Sequence, residues 1–163
     1  MDTVDRRTLI ESYGRAADDL DAARREFPPA AWHYRPAPEL WTAHEIVIHL
    51  ADSEANSYVR ARRFIAEPGA DLMAYDEVVW AQRLDYPAQS VADAVELFRL
   101  LRRSTYHLIR SLPERVWAQT ARHPENGWMT LDDWLTVYER HVRDHVAQMR
   151  AGQTAWERAG RPA

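Results

Sequence analysis

With 163 residues, 46% of them hydrophobic, the chain has the length and apolar content for a single domain, residues 1–163, around one continuous core. The absence of cysteine excludes disulfides, cysteine-based zinc knuckles and iron–sulfur clusters, so any metal must be held by nitrogen and oxygen. A net charge of −4 with no strongly basic stretch argues against a nucleic-acid partner, and the 21 basic residues are all arginine, a bias from which no function is read.

The start of the chain, Met1-Asp2-Thr3-Val4-Asp5, opens with acids and lacks the apolar segment of a secretory signal. No run approaches the roughly 18 apolar residues of a membrane span. A cytoplasmic protein with no membrane partner is expected.

Only five glycines occur, and apolar residues recur at helical spacing, which predicts an all-α fold. The first segment runs from about Thr3 to Glu26, with Leu9, Tyr13, Ala16, Leu20 and Phe27 on one stripe, and stops at Pro28-Pro29. An extended stretch from Trp32 to Leu40 follows. The second segment begins at Thr42, where Thr-x-x-Glu to Glu45 reads as a capping box, and continues to about Ala66. Its inward stripe is Ile46, Leu50, Ser53, Ser57, Ala61 and Phe64.

The connection from Glu67 to Gln89, about 20 residues, is long for a bundle and of the kind that serves as a lid or pocket wall; within it Tyr75–Trp80 reads as a short helix. The third segment starts near Ser90, carries Val91, Ala94, Val95, Phe98, Leu101, Thr105, Ile109 and Leu112 inward, and ends at Pro113. The fourth starts at Thr130, with Asp133 three residues on, and runs to about Ala151, before Gly152. Leu131, Trp134, Leu135, Tyr138, Val142, Val146 and Met149 form its stripe. Four such segments suit a four-helix bundle with long connections.

At about 100° per residue, His141 and His145 lie about 40° apart on one face and one turn apart along the axis, flanking the apolar stripe. His49 borders the stripe of the second segment in the same way. Three histidines on inner faces of two helices are able to meet around a metal, because bundle cores build such sites from facing helices. Spacing alone leaves open the alternative of hydrogen-bonded border residues.

The stretch Trp41-Thr42-Ala43-His44-Glu45-Ile46-Val47-Ile48-His49-Leu50-Ala51-Asp52-Ser53-Glu54 resembles the second-helix motif of the DinB/YfiT-like superfamily. His123-Pro124-Glu125-Asn126-Gly127, leading to Tyr138-Glu139-Arg140-His141 and on through His145 to Gln148-Met149, resembles its last-helix signature, a His-x-x-x-His-x-x-Gln pattern. Tyr75, Asp76, Trp80, Ala81 and Tyr86 match its landmarks between helices two and three, and the resemblance runs from about Leu20 to Met149. It implies an up-up-down-down-type four-helix bundle, commonly dimeric, with one zinc or nickel ion held at His49, His141 and His145. It also implies a small-molecule substrate. Some members are S-transferases or isomerases that use a low-molecular-weight thiol (bacillithiol, mycothiol or glutathione), and many are labelled only as metal-dependent hydrolases.

Three histidine ligands leave a coordination position open, the pattern of catalytic zinc. An ion there lowers the pKa of a bound water toward 7, or takes a thiol as thiolate with no dedicated protein base. The motif His-Val-Arg-Asp-His lacks the glutamate of His-Glu-x-x-His, which excludes a peptidase of that type. Asp52, one turn after His49, and Glu54 are the candidate bases or carboxylates behind the ligands, with a surface ion pair as the alternative for each. Arg102 falls on the buried stripe of segment three, where it either pairs with a carboxylate such as Glu54 or meets an anionic substrate. His33, His44, His107 and His123 read as structural or exposed, and of these His123 lies in the stretch that leads back to the site. The expectation is a metal-dependent enzyme that attaches a low-molecular-weight thiol to an electrophile. Hydrolysis of a small amide or ester is the alternative, and a non-catalytic binding module the third reading.

Overall fold

A computed structural model describes residues 1–161 of the chain. Four long helices, α1 (Thr3–Glu26), α2 (Ala43–Ala66), α4 (Val91–Ile109) and α6 (Leu131–Arg158), form the bundle. Two short helices, α3 (Glu77–Arg83) and α5 (Glu114–Trp117), and a hairpin of β1 (Thr120–His123) and β2 (Gly127–Thr130) lie in its connections. Both expected capping boxes are present: Thr42 Oγ1 accepts from the Glu45 amide while Glu45 accepts from the Thr42 amide, and Thr130 and Asp133 do the same at α6. They fix the first turns of the two helices that carry the three histidines.

α1 and α2 each pack on both α4 and α6, so helices consecutive in the pairs α1–α2 and α4–α6 stand diagonally. Side-chain contacts give the directions. Arg6 meets Asp132 and Ser12 meets Glu139, so α1 and α6 run parallel. Asp21 with Arg99 and Glu11 with Tyr106 set α4 antiparallel to α1, and His49 with His141 and Arg60 with Tyr138 set α2 antiparallel to α6. The order is therefore up-down-down-up, a correction to the up-up-down-down order implied by the resemblance. Its physical consequence is the long 67–90 connection: α2 and α4 are parallel neighbours, and the chain must travel back along roughly 36 Å of helix to start the second.

α6 passes Gly152, where the sequence suggested an end near Ala151, and continues to Arg158. Glycine inside a helix costs about 1 kcal/mol relative to alanine. Two further turns bury Trp156 in the core, and burial of an aromatic that large outweighs the cost. The β hairpin has no counterpart among the expected elements, because four-residue strands are too short to establish an alternating pattern. It pairs antiparallel from Thr120↔Thr130 to His123↔Gly127, with Gly127 in the left-handed region at φ 71. Residues 69–72 lie along its outer edge: the Gly69 amide donates to Thr120 O, the Arg122 amide to Ala70 O, and the Leu72 amide to Arg122 O.

The core falls into two halves separated by a polar layer. Glu54 of α2 and Arg102 of α4 form an ion pair at 2.5 Å, with both side chains 1% exposed. Tyr13 of α1 donates to the other Glu54 oxygen at 2.7 Å, and Arg102 donates to the Tyr138 carbonyl of α6 at 3.2 Å, so all four helices meet in this layer. α1 and α4 approach closely at Gly14, where a Cβ would stand 2.7 Å from the Tyr106 ring. Gly14→Ala is expected to cost about 1–3 kcal/mol in urea denaturation; an unchanged midpoint would show that the ring swings aside freely.

Candidate metal centre

His49 lies in the second turn of α2, wholly buried, and His141 and His145 are half-buried on the facing side of α6. Because the two helices are antiparallel neighbours, their histidine-bearing stripes oppose each other. His49 Nε2 is 3.3 Å from His141 Nε2, which is 3.1 Å from His145 Nε2. One nitrogen from each ring lies within 4.8 Å of the other two. The rings meet edge-on, at 66° for His49 with His141 and 89° for His141 with His145, so nitrogens rather than ring faces converge.

The donor set fits a divalent ion. Nitrogen at about 2.0–2.1 Å from a tetrahedral centre gives nitrogen–nitrogen separations of about 3.3–3.4 Å, close to those seen. His145 Nδ1 lies 2.8 Å from the amide oxygen of Gln148, which can only accept, so the ring carries its proton on Nδ1 and turns an Nε2 lone pair inward. His49 Nδ1 is buried with no hydrogen-bond partner. Neutral imidazoles cannot pair three lone pairs with one another, whereas one cation satisfies all three.

Electrostatics act in the same direction. Burial, then the neighbouring His145 and His141, pushes His49 down to about 2, and burial, His145 and Arg102 push His141 down to about 3. His145 is lowered by burial against the opposing bond to Gln148 and the nearby Asp144. All three imidazoles are therefore neutral at pH 7, the protonation state in which histidine ligates metal.

Aromatic rings wall the cluster. Trp41 packs 4.6 Å from the His49 ring and stacks 6.2 Å from His145, while Tyr138 meets His141 edge-on at 6.2 Å. The remaining side is reached by Glu77, in the first turn of α3, whose Oε2 is 3.8 Å from His49 Nε2. Its side chain is 57% exposed, so it borders the cluster rather than closing it. Burial, then Asp76 and Glu125, holds the Glu77 carboxyl above its ordinary value.

Asp52 and Glu54 are placed elsewhere. Asp52 accepts from the Tyr86 hydroxyl at 2.7 Å, and Glu54 is occupied by Tyr13 and Arg102. Neither hydrogen-bonds one of the three histidines among the described residues. The pairing of Arg102 with Glu54, one of its two expected roles, is the one the structure contains. His123 is buried, accepts from the Glu125 amide at 3.3 Å, and is lowered by burial and by Arg60. His44 reaches the Tyr86 carbonyl at 3.1 Å and packs against the His33 ring at a tilt of 36°. Glu77 escapes sequence reasoning because it stands in the connection between two bundle helices, at no helical spacing from any histidine.

The sequence profile of the DinB superfamily matches residues 12–149. The chain belongs to this superfamily. It is 31% identical over 141 residues, covering 86% of the chain and 77% of the relative, to a Bacillus mycoides protein named "putative metal-dependent hydrolase". An Oceanobacillus iheyensis protein of the same description is 30% identical over 109 residues. That alignment takes in 67% of the chain but 63% of the relative, so the match spans less than two thirds of that protein's length. The solved structure of YfiT from Bacillus subtilis, described as a "probable metal-dependent hydrolase with an unusual four-helix bundle topology", superposes with a TM-score of 0.87. It covers 98% of the chain and 90% of its own, at 23% identity, a likeness of fold. No helix among the described residues is long and apolar enough to cross a membrane.

Proposed function

We propose that the protein is a metal-dependent enzyme that transfers a low-molecular-weight thiol to a small electrophile, with His49, His141 and His145 as the ligands of one zinc or nickel ion. The observation that carries this reading is the convergence of three neutral imidazole nitrogens beside a side open to Glu77. A neutral amide, Gln148, rather than a carboxylate is the hydrogen-bond partner behind His145. When bound, such an ion supplies a Lewis acid that makes a coordinated thiol or water acidic near neutral pH.

The chain's own residues supply the remaining functions. Gln148 holds His145 in the tautomer that points Nε2 inward. Trp41 covers two of the rings and keeps water from them. Glu77, with its raised carboxyl, is placed to take the S–H proton at the open side and pass it to solvent along its exposed edge. A reducing cytoplasm is the setting in which such a thiol is supplied.

Hydrolysis of a small amide or ester is a second reading, favoured by the same Glu77, which is equally placed to take a proton from water. Bacillithiol, mycothiol and glutathione should be assayed with model electrophiles, with and without zinc or nickel. Product that requires both thiol and metal supports transfer. Turnover of esters or amides without thiol, rising with pH through about 7, would select hydrolysis; no turnover in any combination leaves a binding module. Glu77→Gln is expected to lower kcat by about 10²-fold or more at unchanged metal content. Full activity in that variant would remove Glu77 from the proton path.

A further inference from the structure

Two arginines lie near the histidine cluster, and they differ in what balances them. Arg102 is neutralised by Glu54. Arg60 is half-buried, and the acceptors it has are neutral: the Met73 carbonyl takes Nε and Nη2, and the Tyr138 hydroxyl takes Nη1 at 2.7 Å. No carboxylate lies within ion-pair distance of Arg60 among the described residues. A guanidinium carries five N–H groups, so about two remain unassigned in a cation that has no counter-charge.

Its position gives this cation a use. His49, Ser53, Asn56 and Arg60 recur at i, i+4, i+7 and i+11, on one face of α2. Alternate residues of the segment after the hairpin contact cross that face in the opposite sense: Met73 on Arg60, Tyr75 on Ser53, Glu77 beside His49. Arg60 therefore marks one end of a roofed stripe whose other end is the histidine cluster. Tyr138, its hydroxyl partner, touches the His141 ring. Beside Arg60 opens a cleft of about 430 Å³ walled by Ala55, Val59, Met73 and Trp80. The second arginine at its border, Arg63, is already engaged by Glu67 and the Asp71 carbonyl.

We propose that Arg60, held in place by the Tyr138 hydroxyl, forms the seat for the carboxylate of an organic acid whose apolar part occupies this cleft. A carboxylate suits the site better than a phosphate dianion, because it matches the guanidinium edge and costs less to desolvate against apolar walls. The seat requires no metal and stands apart from the metal-enzyme reading above.

The test uses 3-phenylpropionate and its uncharged analogue 3-phenylpropionamide, titrated calorimetrically into the full chain as purified, after chelator stripping, and as His145→Ala. Metal content is measured on the same samples, so a failure of the metal reading appears there and not in the binding data. The acid is expected to bind all three preparations, about tenfold or more tighter than the amide, and to weaken about tenfold or more in Arg60→Gln. Should that variant fail to fold, Tyr138→Phe, which deletes only the hydroxyl, is expected to weaken the acid and leave the amide unchanged. Equal binding of acid and amide, no binding of either, undiminished binding in Arg60→Gln or in a folded Tyr138→Phe, or loss of acid binding on stripping would each overturn the proposal.

Discussion

Arg102→Ala is expected to destabilise the protein by about 3–5 kcal/mol, against net stabilities that run to about 5–15 kcal/mol for proteins of this kind. The variant leaves Glu54 wholly buried with its charge unopposed, and it strips a donor from the Tyr138 carbonyl in the N-terminal third of α6. It also removes a guanidinium that packs 3.9 Å from the Tyr13 ring centre and 5.0 Å from that of Phe98. Burial already holds the Glu54 carboxyl above its ordinary value, against the pull of Arg102 and Tyr13, so loss of the cation drives it further toward the neutral acid. Urea denaturation reads the effect directly. The paired variant Glu54→Leu with Arg102→Met is expected to recover most of the loss, because apolar replacement of a buried pair is often neutral or stabilising. A single Arg102→Met variant as stable as the parent would sink this account. Metal retention in the paired variant then asks a separate question: whether the layer, one turn from His141, is needed to hold α2 and α6 in register.

How much of this was legible in the sequence depended on the range of the interaction involved. The long helices and their capping boxes are local, set by residues three or four apart, and Thr42-x-x-Glu45 and Thr130-x-x-Asp133 marked the starts of α2 and α6. The three histidines were legible as candidates for the same reason, since each borders its helix's own apolar stripe; their meeting depends on the antiparallel register of α2 against α6, which brings His49 level with His141. The helix directions were not, because the periodicity of α2 and α4 is the same whether they run parallel or antiparallel. Glu77 and Arg60 were missed for a related cause. One stands in a connection whose path is set by the pairing of residues 69–72 with β1, and the other is distinguished only by the carboxylate it lacks. The carboxylates that spacing did favour, Asp52 and Glu54, are taken by a tyrosine on the crossover and by an arginine of the third bundle helix. Neither partner is near in sequence.

His141→Ala is expected to abolish metal retention, since the His141 nitrogen is the one facing both of the others at 3.1–3.3 Å and its loss separates the remaining pair from a common point. Elemental mass spectrometry of untagged protein reads this as about one transition metal per chain in the parent and none in the variant after identical handling; equal content in both would remove the cluster from consideration. The same variant carries a second, opposite signature in the metal-free protein. Buried imidazoles pushed down to about 2 and about 3 stay neutral in the fold as pH falls, while in the unfolded chain they take up protons near their ordinary value of about 6.5. The unfolded state then binds more protons than the native one. Stability is full above about pH 6.5 and is lost as pH drops toward about 3, with a limiting slope of about 1.4 kcal/mol per pH unit for each such histidine. Removing His141 takes one proton out of that difference, so metal-free His141→Ala should show a shallower decline between about pH 6 and 4 than the metal-free parent. A parallel decline would mean that the imidazole is protonated as readily in the fold as outside it. If the shallower decline appears together with lost metal, one physical cause accounts for both: a largely buried, convergent site that resists protons also keeps its lone pairs free for a cation.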